Sequence, residues 1–125
     1  MPISETVDPR QQFVMLSVID PCTIDEWCAA MLAALETPTF RQQHTLLIDR
    51  RHAEPIDVGF VDAKTRFFAA HQRELSGMRA AILVRDDAGF GMGRMTEFRV
   101  KVENPDVTIR TFRDYDRAVT WLTGR

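Results

Sequence analysis

The sequence predicts an α/β domain of four successive β-α units on a largely parallel sheet. Three observations carry this. Short β-rich apolar runs recur at residues 13–19, 45–49, 80–85 and 107–113. A segment with apolar residues at helical spacing follows each run. Proline, glycine or aspartate marks the joins. Alternation of this kind calls for right-handed crossovers between parallel strands. The nearly all-apolar second and third runs, TLLID and AAILVR, suit strands buried on both faces or nearly so.

The first run, FVMLSVI, ends at Asp20-Pro21. Thr23-Ile24-Asp25-Glu26 then matches a capping box, with Thr23 and Glu26 each able to accept the other's amide proton. Ile24, Trp27, Cys28, Met31, Leu32 and Leu35 form one helical stripe, which Pro38 terminates. After TLLID comes a polar loop with Pro55, and Asp57 is placed as an N-cap. Phe60, Phe67, Phe68, His71 and Leu75 mark the inner face of that helix, and Gly77 ends it. In the third helix Met95, Phe98 and Val102 are expected to face inward, and Asn104-Pro105 closes it. The alternating run VTIRTFR leads to Asp114 as N-cap and to a last helix with Tyr115, Ala118, Val119 and Leu122 on one face. Residues 3–12 are expected to add an edge strand. Residues 1–125 are taken as a single domain, with 1–12 partly flexible.

Bulk properties exclude several classes. The net charge is −2, so nothing draws the whole chain to nucleic acid or anionic membranes. No apolar run reaches the ~18 residues a membrane span needs. The polar start, MPISETVDPRQQ, lacks a signal peptide's apolar stretch, and the expected location is the cytoplasm. Cys22 and Cys28 are six apart, neither a CxxC pair nor a zinc half-site, and are read as free thiols. There is no HExxH, GxSxG or GxxxxGK[ST] run, so no catalytic residue, metal or cofactor is assigned.

The stretch DDAGFGMGRM carries Gly89, Gly91 and Gly93 after the third run. A dinucleotide fingerprint needs GxGxxG after the first strand; here the pattern is GxGxG after the third, with Arg94 in place of the final glycine. The expectation is therefore a flexible turn with access to positive φ, displaying Phe90 and Met92 to a partner and delivering Arg94 to a helix start. Ligands of open α/β sheets gather at the carboxyl ends of the strands. There Arg50, Arg51 and His52 would join Arg94 and the three glycines in an anion site, since arginine offers a planar fork of donors. The competing expectation is a solvated surface on which these arginines pair with Asp49, Asp86, Asp87 and Glu54.

LLIDRRH, RAAILVRDDAGFGMGRM and TFRDYDRAVTWL, in that order, resemble the SpoIIAA-like group of the STAS superfamily over about residues 13–123. The resemblance implies a β-α superhelix with strands in sequential order and helices mainly on one side, a topology shared with CRAL-TRIO lipid-binding domains. It also implies a regulatory, non-catalytic interaction module. The group's anti-anti-sigma factors carry a phosphorylatable serine in a run like Ile-Asp-Ser-Ser-Gly. Here Ile56-Asp57-Val58-Gly59-Phe60 is the nearest match, with no hydroxyl between Asp57 and Gly59. The expected partner is a protein, a second copy in a homodimer, or a small anionic or lipid molecule. A small enzyme using the basic rim, with His52 as acid or base, is the alternative from another class.

Overall fold

The computed structural model describes residues 2–19, 22–54 and 56–125. Asp20-Pro21 and Pro55, expected at a strand end and in a loop, lie outside the described residues. Strands β1 (Ile3–Val7), β2 (Val14–Val18), β3 (Thr45–Asp49), β4 (Arg79–Leu83) and β5 (Thr108–Phe112) form one sheet in sequential order. The β1–β2 pair is antiparallel and the other three pairs are parallel. The four expected runs are thus β2 to β5, and the N-terminal edge strand is β1.

Helix α1 (Ile24–Leu35) opens with the capping box. The Glu26 amide donates to Thr23 Oγ1 at 3.1 Å, and the Thr23 amide to Glu26 Oε1 at 2.9 Å. Its buried stripe is Trp27, Met31, Ala34 and Leu35, and Leu32 instead turns outward. Pro38 does more than end α1. It sits in the first turn of a short helix, α2 (Pro38–Gln43), where a missing amide proton costs nothing, and Thr37 caps that helix. Helix α3 (Val58–Ala70) is capped by Asp57, whose Oδ1 accepts the Phe60 amide at 2.8 Å. It ends at His71, and Leu75 belongs to a separate turn, α4 (Gln72–Leu75). Gly77 follows at φ 82°, a conformation that favours glycine.

The largest departure from expectation is α5 (Asp87–Glu103), which absorbs the whole glycine stretch. Asp86 caps it by accepting the Gly89 amide at 2.9 Å. Gly89, Gly91 and Gly93 are helical, and none has positive φ. For Gly93 the reason is packing. The buried face is Gly93, Thr96 and Val100, and a Cβ on Gly93 would lie 2.5 Å from Thr111 Oγ1. Small residues let α5 approach β5 closely. The stripe expected inside, Met95-Phe98-Val102, lies on the opposite side, with Phe98 73% and Val102 64% exposed.

The core has two parts. Val14, Leu16, Val18, Leu46, Ile48 and Ala80 meet Trp27, Met31, Phe67, Phe68 and Val100 on the face covered by α1, α3 and α5. Phe13, Leu47, Ala81 and Leu83 meet Ala118 and Leu122 of α6 (Tyr115–Thr123) on the other. Each fully buried Leu, Val or Phe contributes roughly 1.5–3 kcal/mol. The helices therefore lie mainly on one side, with α6 alone behind the sheet.

Candidate functional site

The carboxyl ends of β3, β4 and β5 carry the charged groups that the sequence places there. Most are already paired. Arg51 grips Asp49 through Nε and Nη2 at 3.0 and 2.9 Å, and its guanidinium lies 5.8 Å from the Tyr115 ring centre. Burial alone would raise the Asp49 pKa, but the Arg51 hydrogen bonds and charge outweigh it and hold the carboxyl below its usual range. Arg85 bridges Asp86 at 3.5 Å and Glu54 at 3.9 Å. Arg113 pairs with Asp87. The carboxylates Asp57, Asp86 and Asp114 cap helices. Among the described residues no cluster of three or more His, Cys, Asp or Glu is arranged to hold a metal ion.

Behind this rim is a cleft of about 20 Å³ whose lining includes Arg50, Glu54, Lys64, Asp86, Gly89, Met92 and Gly93, together with the apolar Ile82 and Val84. Arg50 follows β3, its amide donating to Leu83 O at 2.8 Å. It is 7% exposed and reaches Glu54 O through Nη2 at 3.0 Å. Lys64 comes from the inner face of α3 and is 1% exposed. Its ammonium lies 5.2 Å from the Trp27 ring centre and, among the described residues, makes no ion pair with a carboxylate. Burial first, then the Arg50 charge, push its pKa down to about 7, with Cys22 opposing them. The volume suits one water or an ion of similar size. Neither an acyl chain nor a nucleotide fits it.

The structure brings together only part of the expected anion site. Arg50, Gly89 and Gly93 line the cleft, whereas Arg51 and His52 do not. Arg94 stands two turns into α5, 64% exposed, and reaches Glu97 at 3.8 Å. Gly91 faces open solvent. Phe90 and Met92 do not form one patch, because residues two apart on a helix point to opposite sides. Met92 turns into the cleft, and Phe90 lies half-buried with the Arg113 guanidinium 4.9 Å from its ring centre. Lys64 is the residue that sequence reading missed. Its signal was present: Val61, Lys64, Phe67 and Phe68 recur at helical spacing, so the lysine sits within the buried stripe.

No protein-family model and no curated protein matches this sequence. Solved structures do match it over nearly the whole chain. One is an uncharacterised protein of the DUF3478 family with a SpoIIAA-like fold from Shewanella loihica PV-4. It is 17% identical at a TM-score of 0.57, covering 96% of this chain and 91% of that one. The fold is SpoIIAA-like. A second match is an anti-sigma factor antagonist from Mycobacterium paratuberculosis, 17% identical at a TM-score of 0.59, covering 96% and 93%. In this SpoIIAA-like fold, the run compared above with the phosphorylatable motif opens α3, where Asp57 serves as its cap. Among the described residues, no helix is long and apolar enough to cross a membrane.

Proposed function

We propose that the protein is a non-catalytic, regulatory interaction module of STAS type, comprising residues 1–125 as one domain. Its contact face is the outer side of α5. The observation that carries this is the exposure of Phe98 and Val102, at 73% and 64% on adjacent turns of one helix face, with Met95 alongside. Lone exposed apolar residues are ordinary, but contiguous ones on a helix mark contact surfaces. Arg94 and Lys101 flank them and suit a partner with acidic groups around an apolar centre. The likeness to an anti-sigma factor antagonist supports a protein partner. The absence of a hydroxyl between Asp57 and Gly59 supports a module that is not switched by phosphorylation there.

The test compares proteins captured from extract by the parent chain and by Phe98→Asp and Val102→Asp variants. A partner retained by the parent and lost at least tenfold by both is the expected result. Equal capture by all three would dismiss the α5 face. Lys64, buried in the cleft without a carboxylate partner among the described residues, favours a second reading as a site for a small inorganic anion. Titration with chloride and phosphate, followed by the Lys64 side-chain resonance, checks it; an unmoved resonance removes that reading.

A further inference from the structure

The two edges of the sheet are finished differently. On β5 the outward amide of Thr111 donates to Glu97 Oε2 at 2.9 Å, and the Thr111 hydroxyl donates to the same oxygen at 2.6 Å. Helix α5 thereby satisfies that outward amide of the edge. On β1 the parity of pairing is set at both ends, by Ile19 N to Pro2 O at 2.7 Å and Asp8 N to Phe13 O at 3.0 Å. With this register Ser4 and Thr6 turn their backbone groups toward β2, and Ile3, Glu5 and Val7 turn theirs away. Among the described residues no hydrogen bond is made to these outward amides and carbonyls. Residues 4–7 are exposed. An open edge of this kind is a template for another strand.

Beside this edge runs a groove of about 320 Å³ between β1 and α1. Ile3, Glu5 and Leu16 form its sheet wall, and Ala29, Ala30 and Ala33 form its helix wall. The large apolar residues of α1, Trp27, Met31 and Leu35, point into the core instead, so the helix presents three alanine methyl groups and Glu26 to the groove. A strand laid along β1 would turn every second side chain into this space. The edge supplies backbone hydrogen bonds, and the groove selects side chains.

Charge decides the occupant. Among the described residues, Glu5 and Glu26 are the charged ones that line the groove, and both are acidic. A second copy paired antiparallel in full register would set Glu5 against Glu5, and like charges directly opposite are destabilising. We infer that β1 and the groove bind an extended segment of a partner protein, with small apolar side chains over the alanines and a lysine or arginine opposite Glu5. This surface lies apart from the outer side of α5, and its test is independent of that reading.

The probe is the capped heptapeptide acetyl-Thr-Val-Thr-Lys-Thr-Val-Thr-amide, titrated into labelled protein and followed by NMR and amide exchange. Slowed exchange at the Ile3, Glu5 and Val7 amides is expected, with shifts confined to residues 2–7 and 26–33. The same peptide N-methylated at Val, Lys and Val should not bind. Glu5→Lys should weaken binding about fivefold to tenfold and should favour a peptide with Glu in place of Lys. Val7→Pro removes one outward donor without touching the β2 pairing and should weaken binding as well. Unchanged exchange at the three amides, or equal binding by the N-methylated peptide, would overturn the inference. So would protection of those amides without peptide that fades on dilution, since the occupant would then be a second copy.

Discussion

Lys64 is a lysine held where a charge is costly. Its folded pKa of about 7 lies below the ordinary 10.5. Between those values the unfolded chain carries one proton more than the folded chain. Stability from this group therefore rises from about pH 7 to about pH 10.5, is flat below and above, and is lost as pH falls from about 10.5 to about 7. Lys64→Met removes the penalty. We expect it to be more stable than the parent at pH 6 by on the order of a few kcal/mol, with the two curves converging near pH 10. Urea denaturation across pH checks this, and parallel curves would count against it. The sequence reading passed over this lysine although it stands inside an apolar stripe, and nothing in the sequence shows that Trp27 and Arg50 come from other elements to meet it.

At the scale of the element, α5 separates what sequence reveals from what it hides. Caps were legible, because Thr23, Asp57 and Asp114 act on amides two or three residues away. Asp86 was seen as a carboxylate and not as a cap, since the glycines after it suggested a loop. Glycine lowers helix propensity by about 1 kcal/mol relative to alanine. Nothing in the structure explains Gly91, Gly89 sits tightly against Val84, and the close approach to β5 explains Gly93. That contact is non-local. Gly91→Ala, with open space around its Cβ, should stabilise the fold by about 0.5–1 kcal/mol. Gly93→Ala must displace Thr111 and should destabilise it by about 1–3 kcal/mol. Opposite signs in denaturation midpoints are expected; a loss at Gly91 would restore the positive-φ turn. The same misreading sent Met95, Phe98 and Val102 inward. Their apolar character marked a stripe, but a stripe alone does not say which side of the helix meets the sheet.

For the whole molecule, strand order and the sequential β-α path were legible because each unit is local. The placement of α6 behind the sheet was less so, since Ala118 and Leu122 look the same on either face. The rim was legible as charges and not as a site, because Arg51, Arg85 and Arg113 settle onto nearby carboxylates. What remains unexplained by folding is the outward face of α5. Phe98→Asp should change stability by less than about 0.5 kcal/mol, because the side chain is 73% exposed, so any lost binding reports contact. The most direct measurement places a photo-crosslinking phenylalanine analogue at position 98, and separately at position 52 on the rim, in extract. The account predicts one dominant partner cross-linked from 98 and none from 52. A partner captured from 52 alone would contradict it.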